Sequence, residues 1–129
     1  MIVLLLSEPT IYIYLSLNLR LIGKPKLLKL KRKNKWNSKL VKAIDQLILD
    51  IELGNWKNEA EVKIKRPDAD CVHNDGFYFF NINIHRTLIR IELDEDGEVT
   101  VVWAGTHQEY ETIFKNNKDV IKKWLKSFS

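Results

Sequence analysis

A run of alternating residues between Gly76 and Trp103 constrains the fold more than any other stretch. Its side chains alternate with a period of two, and Asp94-Glu-Asp-Gly97 interrupts it with a turn that favours glycine at positive φ. The run predicts three adjacent strands, and a helix follows from about residue 106. One set of faces is mostly apolar: Tyr78, Phe80, Ile82 and Ile84, then Thr87, Ile89, Ile91 and Leu93, then Val99, Val101 and Trp103.

Polar residues concentrate on the other side of the predicted strands. We expect helices to cover the apolar faces and an open face to remain, carrying Asn81, Asn83, His85, Arg86 and Arg90. An ordinary polar face of an antiparallel sheet is the alternative interpretation. Two arginines with amides and a histidine exceed what solubility requires, although the excess is modest.

Charge is distributed unevenly along the chain. Residues 24–66 hold 13 Lys and Arg against 5 Asp and Glu, whereas the other residues hold 8 against 12. A basic half suggests a polyanionic partner, with nucleic acid the first candidate. A helix with a solvated lysine face is the alternative.

The length of 129 residues fits one domain over residues 1–129, with a hydrophobic extension at its start. Strict alternation from Ile11 to Leu21 predicts a half-buried strand added to the sheet, and residues 1–10 a loose extension. Polar residues and a proline interrupt any membrane helix here. Cys71 is the single cysteine, which excludes an internal disulfide framework.

Two helices are predicted between this extension and the sheet. Pro25 suits a first helical position, and Lys26–Lys33 continue the first helix. Asn37 or Ser38 caps the second helix, which Gly54 terminates. Its apolar positions keep helical spacing: Leu40, Val41, Ile44, Leu47, Ile48 and Ile51. The prediction is a helical hairpin with one face on the sheet and its lysines outward.

Cationic residues flank both ends of this region. The cluster of Lys31, Arg32 and Lys33, together with Lys35, Lys39 and Lys42, could follow phosphates, and solubility is the alternative explanation. Lys63, Lys65 and Arg66 place positive charge at the edge of the sheet, just before Pro67 and two aspartates end any helix.

Thr106-His-Gln-Glu109 has the pattern of a capping box. The box explains Thr106 and Glu109 but leaves His107 and Tyr110 unexplained. A helix N-terminus favours bound anions and lowers the pKa of a nearby imidazole, which suits phosphate chemistry. After an interruption at residues 114–118, a final amphipathic helix is predicted.

A metal or cofactor is not expected. Cys71-x-His73 has no matching second pair, so the pattern does not favour zinc. The five glycines are scattered and form no phosphate-binding loop.

Several short motifs together resemble the HigB-type toxins of bacterial toxin–antitoxin pairs, members of the RelE superfamily of ribosome-dependent mRNA endonucleases. The resemblance covers about residues 24–126, and its most specific part is the ending Trp103-Ala-Gly-Thr-His-Gln-Glu-Tyr110. The weaker matches are Trp56-Lys-Asn, Lys63, Pro67-x-Ala69, Phe80-Asn-Ile82 and an arginine on the next strand. Two departures from such toxins are the apolar first 22 residues and a strand pair that is slightly longer than usual.

The resemblance implies an α+β fold, with a helical hairpin packed on a small, mostly antiparallel sheet and C-terminal helices. It also implies cytoplasmic mRNA cleavage on the ribosome without a metal, and an antitoxin partner of the HigA-like helix-turn-helix kind. In that reaction the 2′-hydroxyl attacks the adjacent phosphate while basic residues neutralise charge and an acid protonates the leaving oxygen.

Carried over to this chain, the resemblance makes Lys63, Arg90, His107 and Tyr110 the catalytic candidates. Arg86 competes with Arg90 for the phosphate, and the supporting RNA-binding candidates are Arg86, His85, Asn83, Lys65, Arg66, Lys31, Arg32 and Lys33. The rival function is a non-catalytic RNA- or ribosome-binding module, or a decayed toxin that serves as a partner-binding protein.

Overall fold

The computed structural model describes residues 19–73, 76–93 and 97–128. They form an α+β structure with five helices and five strands. In chain order the elements are β1 (Arg20–Ile22), α1 (Lys24–Lys33), α2 (Ser38–Glu52), α3 (Glu59–Lys65), β2 (Asp70–His73), β3 (Phe77–Ile82), β4 (His85–Glu92), β5 (Glu98–Gly105), α4 (His107–Phe114) and α5 (Lys118–Phe128). The predicted fold class is confirmed.

The strands form one sheet in the order β1-β5-β4-β3-β2. The three predicted strands are its antiparallel centre, and β1 pairs parallel with β5. Strand β1 overlaps the end of the strand predicted over residues 11–21, and the rest of that prediction lies outside the described residues. Strand β2 pairs antiparallel with β3 and was not predicted, because its four residues, Asp-Cys-Val-His, show no apolar alternation.

The helical hairpin covers one face of the sheet, as predicted. The first core cluster joins α1 and α2 to the sheet through Leu27, Leu30, Leu40, Ile44, Leu47, Ile51, Tyr78, Phe80, Ile82, Ile89, Val99 and Val101. Asn37 is the N-cap of α2, since its side chain accepts a hydrogen bond from the Leu40 amide at 3.2 Å. The amphipathic spacing of α2 therefore decided which face of the helix is buried.

The other face of the sheet is covered by α4 and α5. A second cluster consists of Phe79, Leu88, Val102, Tyr110, Phe114, Ile121 and Leu125, with Trp103 packed against it. The prediction of an open face is therefore wrong at the centre of this face, because the C-terminal helices occupy it. The prediction that Trp103 shares a face with Val101 is also wrong: the register shifts between Leu88 and Ile89, and this bulge turns Trp103 to the other side.

The hairpin between β3 and β4 turns earlier than the alternation suggests. Strand β3 ends at Ile82, and Asn83 takes a left-handed conformation (φ 65) in a two-residue turn with Ile84. The Asn83 side chain accepts a hydrogen bond from the Ile84 amide at 2.8 Å. Ile84 is 69% exposed, so its predicted place on the apolar face is wrong. Asparagine tolerates the left-handed region, which explains where the turn falls.

None of the described helices is both long and apolar enough to cross a membrane.

Candidate active site

Helix α4 begins beside the first residues of β4, and this junction brings four predicted site residues together. Strand β5 ends at Gly105, which pairs with Arg86, and Thr106 then caps α4. The predicted capping box is confirmed: Thr106 Oγ1 accepts from the Glu109 amide at 3.2 Å, and Glu109 Oε1 accepts from the Thr106 amide at 2.9 Å. The cap fixes the direction in which α4 leaves the sheet, and thereby the positions of His107 and Tyr110.

Tyr110 and Arg86 are in direct contact. An Nη1–H of Arg86 donates to the Tyr110 hydroxyl at 3.2 Å, and the guanidinium carbon lies 4.8 Å from the centre of the tyrosine ring. The guanidinium also lies over Phe79 at 5.4 Å, and the Asp70 carboxylate is 3.7 Å away. Two aromatic faces and one carboxylate thus hold the arginine in place, while about a quarter of its side chain remains exposed (26%).

The Tyr110 hydroxyl has a second partner in Asn116. It donates to Asn116 Oδ1 at 3.0 Å, so the proton of the hydroxyl points away from Arg86. Asn116 follows α4 in a left-handed conformation (φ 47), directly after Lys115 (φ 53). Burial raises the pKa of Tyr110, and the nearby Arg86 charge opposes that rise. Tyr110 is therefore protonated at neutral pH and can donate a proton but cannot accept one.

His85 contacts the N-terminus of α4. Its Nδ1 accepts a hydrogen bond from the His107 backbone amide at 2.8 Å. Burial lowers the pKa of His85, the neighbouring His107 lowers it further, and Glu109 has the opposite effect. Because Nδ1 accepts a hydrogen bond, the proton of the neutral ring lies on Nε2, and His85 can offer a donor there.

His107 occupies the first position of α4 and its side chain is more exposed. Its Nε2 lies 3.8 Å from Glu111 Oε1, and both side chains are about half exposed. His107 is therefore accessible to solvent and substrate, as a group that exchanges a proton with RNA has to be.

Arg90 lies elsewhere on the same face. It pairs with Phe77 and Thr100, whereas Arg86 pairs with Asn81 and Gly105. Four residues of strand separate the two arginines by about 13 Å. The Arg90 guanidinium lies 5.5 Å from the Phe77 ring and 3.8 Å from Glu92. The structure groups Arg86, rather than Arg90, with Tyr110 and the two histidines.

Lys63 bonds to the backbone before β2. Its ammonium donates to the carbonyls of Pro67, at 3.2 Å, and Ala69. Ala69 precedes Asp70, the carboxylate beside Arg86. Lys63 is therefore linked to Arg86 indirectly, through the backbone that leads to Asp70.

Arg66 belongs to a largely buried ion network. It bonds to Asp50 at 3.2 Å, to Asp68 at 2.9 Å and to the Asn81 carbonyl at 2.9 Å. Lys65 is more exposed and lies 3.8 Å from Asp50.

The other RNA-binding candidates lie apart from this network. Asn83 lies in the β3–β4 turn, and Lys31 forms a 2.6 Å ion pair with Asp45. Arg32 and Lys33 are exposed at the end of α1. Their predicted roles in RNA binding stay predictions.

Two functional candidates were not anticipated from the sequence. Asp70 and Asn116 complete the surroundings of Arg86 and Tyr110, but neither belongs to a recognisable motif. The one available signal was the pair of asparagines after Phe114, which suits left-handed backbone. Among the described residues, no three His, Cys, Asp or Glu side chains converge as a metal-binding group.

A helical hairpin on a mostly antiparallel sheet, followed by C-terminal helices, is the α+β architecture of a RelE-like protein. The chain belongs to the HigB toxin family, described as the RelE-like toxic component of a toxin-antitoxin system, whose model matches residues 41–113. That range includes Lys63, Arg86, Arg90, His107 and Tyr110. No curated protein matches the chain.

Proposed function

We propose that this protein is a ribosome-dependent mRNA endonuclease, the toxin of a type II toxin–antitoxin pair. Family membership supports a toxin of the RelE type. The observation that carries the proposal is the contact between Arg86 and Tyr110 beside two histidines, at the junction of β4 and α4. RNA cleavage by internal transfer needs a positive charge on the phosphate and groups that move protons, and this junction supplies both kinds.

Arg86 is the residue we assign to the scissile phosphate. A guanidinium offers five N–H donors in a fixed plane, which matches the oxygens of a phosphate. Its contacts with Phe79 and Tyr110 fix that plane before RNA binds. In the transition state the phosphate gains negative charge, so a cation already in position stabilises it without further reorganisation.

Proton transfer falls to His107 and Tyr110. His107 can take the proton of the attacking 2′-hydroxyl, because its side chain is about half exposed to solvent. His85 donates a hydrogen bond from its Nε2–H to a phosphate oxygen, because a neutral imidazole does not release that proton near neutral pH. The hydroxyl of Tyr110 protonates the leaving 5′-oxygen. The reaction forms a 2′,3′-cyclic phosphate and breaks the P–O5′ bond, and it needs no covalent enzyme intermediate.

The remaining predicted residues have supporting roles. Lys63 orders the loop that carries Asp70, and Arg90 contacts an RNA phosphate farther along the strand. Family membership supports an antitoxin partner, which we propose is a HigA-like helix-turn-helix protein. We propose the ribosome with its mRNA as the other partner. The place of action is the cytoplasm, where translation takes place.

Primer extension on an mRNA incubated with the purified protein tests the function. The reaction is run with and without ribosomes, on the parent chain and on Arg86→Ala and His107→Ala. We expect cleavage by the parent only when ribosomes are present, and none by the variants. Binding to ribosomes without any cleavage by the parent would instead identify a non-catalytic ribosome-binding module.

Induced expression provides the matching test in cells. The parent chain arrests growth, and co-expression of the neighbouring antitoxin gene restores it. A parent chain that leaves both growth and mRNA intact contradicts the proposal.

A further inference from the structure

The turn between α1 and α2 carries an exposed aromatic residue among cations. Trp36 is 78% exposed, far more than the other large apolar residues of the hairpin. Arg32, Lys33, Lys35 and Lys39 around it are also exposed. We call these five residues the turn surface. It precedes residue 41, where the family match begins, so its role has to be argued from this chain alone.

Two asparagines make this turn rigid. The Asn34 side chain donates to the Leu30 carbonyl at 2.9 Å and closes the end of α1. The Asn37 amide donates to the Asn34 carbonyl at 2.8 Å, and the Asn37 side chain caps α2. Trp36 therefore projects from a fixed turn into solvent. A fixed, exposed ring loses little conformational entropy when another flat ring stacks on it.

The sequence around this turn carries positive charges and no negative ones. Residues 26–42 contain eight Lys and Arg and no Asp or Glu. Lys31 is neutralised by Asp45. Across residues 19–73, 76–93 and 97–128, no carboxylate forms an ion pair with Arg32, Lys33, Lys35 or Lys39. Four neighbouring cations repel one another, and a polyanion on this surface relieves that repulsion.

A groove shares Arg32 and Lys35 with the turn surface. Its volume is about 580 Å³, and Leu28, Val41, Lys31, Arg32 and Lys35 line it. Two aliphatic and three cationic side chains therefore meet in this groove. A nucleotide has the same composition, with a flat, weakly polar base and a charged phosphate.

We propose that the turn surface binds single-stranded RNA, with one base stacked on Trp36 and its phosphates on Arg32 and Lys35. An exposed aromatic side chain combined with a basic groove is the usual arrangement for sequence-tolerant binding of single strands. This proposal rests on the proposed function in one respect only, namely that the ligand is RNA. The hairpin packs on the face of Phe80, whereas Tyr110 packs on the face of Phe79, so this is a second RNA contact across the sheet from the proposed active site.

Fluorescence anisotropy of a labelled single-stranded oligoribonucleotide of about 10 nucleotides tests the proposal, without ribosomes. We expect Trp36→Ala to weaken binding by about 10- to 100-fold, because base stacking on an aromatic ring contributes roughly 1–3 kcal/mol. Trp36→Phe keeps a ring and most of the affinity. Removing Arg32 and Lys35 together lowers the slope of log affinity against log salt by about 1.4, as expected for two single-strand phosphate contacts.

Matched controls separate this surface from general effects. Ile64→Ala removes an exposed apolar side chain elsewhere, and Lys122→Ala with Lys123→Ala removes two exposed charges from α5. Both bind RNA like the parent. The anisotropy assay contains no ribosomes, so this inference and the proposed function fail independently: a parent chain that binds the oligonucleotide through Trp36 but does not cleave mRNA on ribosomes contradicts only the proposed function.

Two results would overturn the inference. One is unchanged RNA affinity in Trp36→Ala. The other is binding of a poly-glutamate peptide that is as tight as RNA binding and equally weakened in Trp36→Ala, which would mean that the surface recognises acidic protein chains and not bases.

Discussion

Arg86 and Tyr110 lie 24 residues apart in the chain and meet at one hydrogen bond of 3.2 Å. Strand β4 supplies the arginine, and the first turns of α4 supply the tyrosine. Because the capping box at Thr106 fixes where α4 starts, the arginine and the tyrosine are positioned by secondary structure and not by a flexible loop. This arrangement favours Arg86 over Arg90 as the residue that holds the phosphate.

Replacing each arginine in turn decides between them. Arg86→Ala lowers the rate of ribosome-dependent cleavage by about 100-fold or more, as expected when a preorganised charge is removed from a transition state. Arg90→Ala, its matched control on the same strand and face, lowers the rate by less than about tenfold, because it removes a phosphate contact outside the site. Single-turnover cleavage on ribosomes measures both. The reverse order would return the role to Arg90.

Tyr110→Phe tests the hydroxyl without disturbing the core. The ring keeps its edge contact with Phe79, at 5.0 Å, and its packing against Phe114. We expect about a tenfold loss of cleavage, milder than that of Arg86→Ala, because one hydrogen bond to a charged group contributes roughly 1.5 kcal/mol. Thermal unfolding shows whether the fold is kept. Activity equal to that of the parent would exclude the hydroxyl from proton transfer.

Asn116 orients that hydroxyl, and its backbone conformation allows a clean substitution. Asn116→Gly keeps the left-handed conformation (φ 47) and removes the side chain whose Oδ1 accepts from Tyr110. We expect activity to fall by no more than in Tyr110→Phe, with little further loss in the double variant, because Tyr110→Phe already removes the bond to Asn116 together with the bond to Arg86. Lys115→Gly, at φ 53, is the matched control and leaves cleavage unchanged. Additive losses in the double variant would separate Asn116 from Tyr110.

Much of the fold was predictable because its strongest patterns are local. The spacing of α2 and the box at Thr106 to Glu109 each depend on residues within one or two turns. The bulge that turns Trp103 away from Val101 was not predictable, since a bulge leaves the alternation of Thr100 to Ala104 looking regular. The packing of α5 on the sheet was not predictable either. An amphipathic pattern shows that one side of a helix is buried, but it does not show which face of the sheet that side packs against.

The candidate site likewise contains some residues that could be predicted from the sequence and some that could not. His107 and Tyr110 stand in a recognisable motif next to their cap, so they could be named from the sequence. Choosing Arg86 over Arg90 required the register of β4 against β5, which depends on pairing across the sheet. Asp70 could not be found from the sequence, because it meets Arg86 from a strand that carries no pattern of its own.

Arg66 tests the difference between a structural cation and one that binds RNA. Its side chain is 13% exposed, and its partner Asp50 is 8% exposed. Removing one member of a buried ion pair leaves the other uncompensated, so Arg66→Ala lowers the free energy of unfolding by about 3 kcal/mol. Lys65→Ala, whose side chain is 57% exposed, changes it by less than about 1 kcal/mol. Urea unfolding of both variants checks the contrast. A stable Arg66→Ala that has lost RNA binding would support the predicted binding role instead.

His85 makes stability depend on pH in a definite direction. Burial and His107 lower its pKa in the folded protein, so folding favours the neutral ring that accepts from the His107 amide. The unfolded chain takes up the proton first, near the ordinary pKa of about 6.5. The contribution of His85 is therefore complete above that pH and is lost as the pH falls through the lower folded-state pKa. In His85→Asn this part of the fall in unfolding free energy between about pH 7 and pH 5 disappears, whereas His107→Gln retains the larger share, which comes from burial of His85. Urea unfolding across that range measures both, and parallel curves for the parent and His85→Asn would show that the Nδ1 contact does not couple folding to protonation.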